Sequence, residues 1–315
     1  MKGVILAAGK GTRLYPATRH IPKSLLPLAN RMTIEYGIDK LREIGVTDIC
    51  VIVGENVDRM WEIIGDGRRF GVNLMLHRQT EPLGLAHAVS FAEDFIGRSP
   101  FVMLLGDLIF GNSFVPFANR FLESGAANMC VVKWVEDPKR FGVANLDGER
   151  IVKLVEKPQE PESNFATTGL YFFGPEIWDV LPRLEPSHRN EYEISDAIQM
   201  LITQGKHCIA GKYEGEWFDT GTLESFLATN AFLVNGGRLI DMSAKVEADL
   251  GDSVVVGAGC QVNAHSIRNS VILPGARVNV RGRIENAVIG GVCKEDGDVI
   301  HQIIYPVEIG ELAGA

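Results

Sequence analysis

Lys2-Gly3-Val4-Ile5-Leu6-Ala7-Ala8-Gly9-Lys10-Gly11-Thr12-Arg13-Leu14 is the stretch on which the fold of this 315-residue chain turns. Its first half reads as a short buried strand, because Val4, Ile5 and Leu6 follow one another without a polar interruption. The chain then turns through two glycines and a threonine onto an arginine. Gly9 and Gly11 lack a Cβ, so the backbone can take φ > 0 and let a ligand approach closely. Successive N–H groups on such a turn form an anion-binding concavity, and Arg13 adds a fixed charge with a planar fork of donors. These residues fit a polyphosphate cradle, but G-x-G taken alone fits an ordinary strand-to-loop turn better. They match neither the G-x-G-x-x-G dinucleotide fingerprint nor the G-x-x-x-x-G-K-[ST] loop.

Outward from that stretch, strand and helix signals alternate to about residue 110. Apolar runs at 3–6, 49–53, 72–76 and 101–105 predict parallel strands, and the spacing predicts helices over 32–44, 57–64 and 85–95. This order implies a Rossmann-like α/β sheet, mixed but mostly parallel, with helices on its faces. Ligands of such sheets sit beyond the carboxyl ends of the strands, where Gly9–Arg13 and Gly106-Asp107 both fall. Further on, strands are predicted at 128–135, 151–155 and 166–173, and helices at 114–124, 193–204 and 223–234. Gly236-Gly237 then marks the expected boundary between a catalytic domain (1–237) and a C-terminal domain (238–315). Beyond it Leu250, Val256 and Val262 recur every six residues, and the phase resumes at Ile272, Val278 and Ile284 after a slip of four. Such a period, with small residues between, predicts a short left-handed hexapeptide β-helix.

Hydrophobic residues make up 46% of the chain and charged residues 23%, as in soluble globular proteins. A net charge of −9 argues against a nucleic-acid partner, and no apolar run is long enough to cross a bilayer. The five scattered cysteines form no C-x-x-C pair, so reduced structural thiols in a cytoplasmic protein are expected.

Two carboxylates stand out by context. Asp107 follows the run 101–105 with one glycine between, and Asp219 lies among Trp217, Phe218 and Gly221. Each fits a helix cap or turn; together, facing a phosphate cradle, they would suit Mg²⁺, which uses few protein ligands. Arg13, Lys23 and Lys157 are the cationic candidates for phosphate. Strand alternation would direct Glu156 and Lys157 to opposite sides, one towards a sugar hydroxyl and one towards a phosphate; a solvated charge pair is the alternative. The Gln79 amide offers a donor and an acceptor that suit a pyrimidine edge.

Together these residues resemble the sugar nucleotidyltransferase family, and within it the glucose-1-phosphate thymidylyltransferases. The resemblance covers about residues 1–235 and rests on nine pieces in one order. They are Leu6–Leu14, Pro22-Lys23, Gln79 with 82–88, Leu105-Gly106-Asp107, Arg140-Phe141-Gly142-Val143, Val155-Glu156-Lys157-Pro158, Thr168-Gly169-Leu170-Tyr171, Glu193-Ile194-Ser195-Asp196 and Trp217-Phe218-Asp219-Thr220-Gly221. It implies that Leu6, Ala8, Gly9, Gly11, Thr12, Arg13, Gln79, Pro82, Gly84 and Asp107 hold a nucleoside triphosphate. It further implies that Gly142, Glu156, Lys157, Thr168 and Gly169 hold a hexose 1-phosphate, and that Asp107 and Asp219 hold Mg²⁺. Arg13, Lys23 and Lys157 would be catalytic. The implied reaction is attack of glucose 1-phosphate on the α-phosphorus of dTTP, giving dTDP-glucose and pyrophosphate, in a homo-oligomer. Pro22-Lys23-Ser24, Leu108 and Phe141 depart from the thymidylyltransferase pattern, which leaves UTP or another sugar phosphate open. A catalytically silent nucleotide-sugar-binding subunit is the reading from another class.

Overall fold

Val4 and Ile5 are fully buried in the first strand, β1 (Lys2–Ala7), as an unbroken apolar run covered on both faces requires. The computed structural model describes residues 1–19 and 21–305. In it the chain forms two compact units, one of Met1–Gly9 with Glu35–Trp217, the other of Lys10–Ile34 with the residues from Phe218 onward. Gly236-Gly237 thus marks a change from helix to strands rather than a break in packing.

The first unit is built on a nine-stranded sheet. After β1 come α1 (Thr33–Glu43), β2 (Asp48–Val53), α2 (Val57–Ile64), β3 (Asn73–Arg78), α3 (Leu85–Ser90) and β4 (Phe101–Leu105), in the expected alternation. They are followed by α4 (Val115–Ser124), β5 (Asn128–Trp134), β6 (Gly142–Asp147), β7 (Arg150–Glu156), β8 (Phe165–Phe173), α5 (Ile194–Thr203) and β9 (Cys208–Lys212). The strand order is β3-β2-β1-β4-β8-β5-β9-β7-β6. β1 to β4 pair in parallel, whereas β8 runs antiparallel to β4 and β5, and β7 antiparallel to β6 and β9. The sheet is therefore mixed: the N-terminal strands are parallel, as expected from the sequence, parallel pairing recurs between β5 and β9, and the other pairs are antiparallel. The turn at Gly148 joins β6 to β7 too briefly for a helical crossover, and a hairpin makes neighbours antiparallel. β6 and β9 escaped the sequence reading because Asn145 and Gly211 interrupt their apolar runs.

All five cysteines are buried and free. Burial pushes the Cys50 and Cys208 thiols up to about 12, which keeps them protonated and inert.

In the second unit α6 (Leu223–Leu233) starts at a capping box in which Thr222 and Ser225 bond each other reciprocally. Short strands follow in two parallel stacks, one of Arg238–Ile240, Val254–Val256, Ser270–Ile272, Val288–Ile289 and Ile303–Ile304, the other beginning Lys245–Leu250, Gln261–Arg268 and Arg277–Glu285. Val254 lies beside Ser270 and Val271 beside Val288, so one coil takes sixteen or seventeen residues. The expected four-residue slip is not present. Ile267, with Leu250 and Ile284 as its partners in register, supplies the missing inward position on a side shortened by an irregularity between Ala264 and Ser266. The inward series therefore runs Val256, Val262, Ile267, Ile272, Val278, Ile284, all buried. Because Ile267 is 0% exposed, Ile267→Ala should lower unfolding free energy by about 3 kcal/mol in a urea titration. A loss below about 1 kcal/mol would place Ile267 outside the packed interior.

Candidate active site

In the first unit Leu6 lies beside Leu105, so Ala7-Ala8-Gly9 and Gly106-Asp107 leave the sheet together at the carboxyl ends of β1 and β4. Gly106 N donates to Leu6 O at 2.8 Å, and a Cβ on Gly106 would stand only 3.1 Å from that oxygen. A Cβ on Gly54, just after β2, would stand 3.0 Å from Ala8 O. Three neighbouring strand ends thus approach too closely for side chains, and Asp107 sits half-buried beside them. Leu6 itself points into the core and gives its carbonyl to the sheet. Gly54 was missed by sequence reasoning, although it follows the run 49–53 just as Gly106 follows 101–105.

A second group surrounds Gln79, which is buried, with its N–H bonded to Val53 O at 2.8 Å. Its side-chain Nε2 lies 3.3 Å from Gly84 O and 3.0 Å from His87 Nδ1. Gly84 has φ 106°, and a Cβ there would meet Tyr192 O at 2.6 Å, so only glycine fits. Tyr192 clasps this loop through its backbone, donating to Leu83 O and accepting from Ala86 N. Pro82 is exposed at the loop's edge.

The third group gathers around Glu156 at the end of β7. A Cβ on Gly142 would lie 2.8 Å from Thr167 Oγ1, 3.1 Å from Glu156 Oε2 and 3.2 Å from Ser195 Oγ, so the missing side chain makes room for a polar cluster. Ser195 donates to Glu156 Oε2 at 2.5 Å, and Arg189 Nη1 stands 3.9 Å from Oε1. Lys157 has φ 42°, a left-handed conformation rare for its residue type, and its Nζ is 3.6 Å from Glu156 Oε1. The expectation that Glu156 and Lys157 point to opposite sides is therefore overturned, since the pleat ends at Glu156 and the positive φ turns the lysine back beside it. Such strain in a non-glycine residue is a mark of functional positions. Thr168 is buried, donates its hydroxyl to Val131 O and accepts at its carbonyl from Trp217 Nε1, so its side chain is held inside the sheet. At Gly169, φ is 84°, and a Cβ would lie 2.4 Å from Leu108 Cδ1.

The remaining candidates lie in the second unit. Gly11 takes φ 63° before a tight turn over Thr12–Leu14, and Thr18 donates to its carbonyl at 2.7 Å. Arg13 Nη2 lies 3.9 Å from Asp219 Oδ2, and Lys23 Nζ 3.5 Å from Asp219 Oδ1. Lys23 is almost entirely buried, with its ammonium turned towards Asp219. Among the described residues no group of three or more His, Cys, Asp or Glu side chains converges as a metal cage. Mg²⁺ does not require one, and the oxygen donors of Asp107 and Asp219 suit it in kind.

The nucleotidyl transferase family model matches residues 2–236. The chain belongs to the nucleotidyl transferase family. The match ends just before the stacked strands begin at Arg238. The low-salt glycan biosynthesis nucleotidyltransferase Agl11 of Haloferax volcanii is 35% identical, over 92% of each chain. A glucose-1-phosphate thymidylyltransferase of Streptomyces antibioticus is 36% identical, over 92% of this chain and 81% of that one. A crystal structure from Bacillus anthracis, named for glucose-1-phosphate thymidylyltransferase and holding sucrose, superposes with TM-score 0.69. It is 36% identical and covers 74% of this chain and 94% of its own. This chain is therefore a nucleotidyl transferase enzyme in fold and family.

Two expectations follow from the geometry. A Cβ on Gly221 would come within 2.5 Å of Arg13 Nη2, the flexible end of a half-exposed side chain. Gly221→Ala should therefore displace Arg13 and lower kcat/KM about tenfold, while Tm moves by less than about 2 °C. Glu193 is held above the usual carboxylate range, first by burial and then by Glu156. The folded state then takes up a proton more readily than the unfolded one. That stability is present below the ordinary glutamate value and is lost as pH rises through the folded value. Glu193→Gln should remove this loss, so that urea titrations across that window show the variant gaining on the parent as pH rises.

Proposed function

We propose that this nucleotidyl transferase joins a nucleoside triphosphate to a hexose 1-phosphate and releases pyrophosphate, with dTTP and glucose 1-phosphate as the substrate pair. The observation that carries the reading is the set of charged groups. Lys157 is turned by a positive φ to stand beside Glu156 where Gly142 leaves room, and Arg13 and Lys23 both reach Asp219. A silent relative would be expected to lose Arg13, Lys157 or one of the two aspartates, and this chain keeps them all.

The attacking oxygen of a sugar 1-phosphate is already anionic, so the chain needs no strong base. Its work is to align two polyanions and offset their repulsion. Glu156 accepts from sugar hydroxyls, held for that task by Ser195. Lys157 takes the sugar phosphate, while the Gly9–Arg13 turn and Lys23 take the triphosphate. Asp107 and Asp219 are the carboxylates that would hold Mg²⁺, which would supply further neutralisation of phosphate charge.

The base is read by Gln79, whose Nε2 is engaged by Gly84 and His87 and whose Oε1 is left to accept from an imide N–H. Thymine and uracil share that group, so UTP is the second nucleotide to test. The stacked C-terminal strands are read as a left-handed β-helix that covers one copy of the chain with another. Support comes from branched inward residues every five or six positions and from solenoid ends that need covering.

The test is pyrophosphate release by the purified chain with Mg²⁺, across five nucleoside triphosphates and several hexose 1-phosphates. The strongest signal is expected with dTTP and glucose 1-phosphate. Asp107→Asn should lower kcat by at least about 100-fold with an unchanged thermal transition. Parental rates in that variant would remove Asp107 from the metal site, and nucleotide binding without turnover anywhere in the grid would favour the silent sensor.

A further inference from the structure

We propose that His87 is a positioning residue for base selection: its ring fixes the Gln79 amide so that a carbonyl acceptor, and not an N–H donor, meets the incoming base. The inference rests on the reading of Gln79 as the base contact.

Gln79 Nε2 has two N–H groups, and two acceptors lie within reach, Gly84 O at 3.3 Å and His87 Nδ1 at 3.0 Å. A backbone carbonyl can only accept, so the amide nitrogen must be the atom facing Gly84. The second N–H then falls on Nδ1, which accepts when the imidazole proton is on Nε2. The ring is itself held, edge-on to Phe91 with centroids 5.0 Å apart and alongside Tyr192 at 6.3 Å. Gln79 is only 6% exposed, so water cannot readily replace the histidine as partner. Among the described residues its Oε1 receives no hydrogen bond, nor is it a sealed atom.

With one acceptor the amide would be anchored at Gly84 alone and could reorient; with two it is preset. The preset atom complements the N3–H of thymine or uracil. It opposes the bare N3 of cytosine, where two acceptors would meet. Guanine N1–H shares the polarity of the imide, so the comparison that isolates the amide is among pyrimidines. The sequence places Gln79 and His87 eight residues apart. It did not show that α3 returns the ring to the end of β3.

The experiment measures kcat/KM for dTTP, UTP and CTP with the full chain, Mg²⁺ and glucose 1-phosphate. It is run on the parent, His87→Leu and His87→Asn, with binding of UDP and CDP by calorimetry in parallel so that selectivity is also read without turnover. Asn carries an acceptor close to where Nδ1 stood, whereas Leu keeps bulk and carries none. The parent should prefer dTTP and UTP to CTP. His87→Leu should lower that preference about tenfold, chiefly through KM, with kcat nearly kept, and His87→Asn should restore most of it. An unchanged ratio in His87→Leu overturns the inference, as does equal damage to all three nucleotides in both variants, which is the signature of packing alone. Absence of any preference in the parent overturns the Gln79 reading before a variant is made, and with it the role of His87.

Discussion

The first unit depends on close backbone approach at the carboxyl ends of β1, β2 and β4. Parallel pairing carries Gly54 just past the Ala7–Val53 pair and Gly106 just past the Leu6–Leu105 pair, at separations where a Cβ on either glycine would press on a neighbouring carbonyl. The consequence is a floor made largely of peptide groups and small residues. A polyanion can be met there by main-chain dipoles that cost no rotamer entropy to order. Asp107 follows directly from that floor, so its placement is set by the sheet register more than by any contact of its own.

A different principle governs the surroundings of Glu156. Its carboxylate shares a small volume with Glu193 and Asp196, and burial together with Glu156 raises both of these above their usual range. Arg189 offsets the repulsion by reaching Glu156, Glu191 and Glu193. An unpaired carboxylate in such a place would be costly, and the hydrogen bond from Ser195 gives Glu156 a fixed direction as well as a partner. The same loop supplies Tyr192, whose backbone clasps Gly84. The loop around Gln79 and the cluster around Glu156 are thus joined by one short segment, 187–195, and a shift in it would be felt by both.

The coiled strands of the second unit follow a simpler rule. Each coil cannot bury its inward residues alone, and stacking in parallel register closes the core between neighbours. The irregularity near His265 shortens one side, and Ile267 takes the place that a strict six-residue count leaves empty.

By itself the sequence determined the strand and helix alternation to residue 110, the inward positions of the C-terminal strands apart from Ile267, and the family. These are local properties: apolar period, glycine spacing and motif order are written along the chain. It also named the residues of the candidate site, since Gln79, Asp107, Glu156, Lys157 and Asp219 carry chemistry that their neighbours do not. Only the tertiary structure decided the antiparallel half of the sheet, because short hairpins and interrupted strands leave weak periodic signals. It alone turned Lys157 beside Glu156, buried the Thr168 hydroxyl, brought Tyr192 against Gly84 and set His87 on Gln79. Each of these depends on a backbone angle or on a meeting of residues distant in sequence or in strand order. Steric exclusion and hydrogen-bond direction act through space, and spacing along the chain does not encode them.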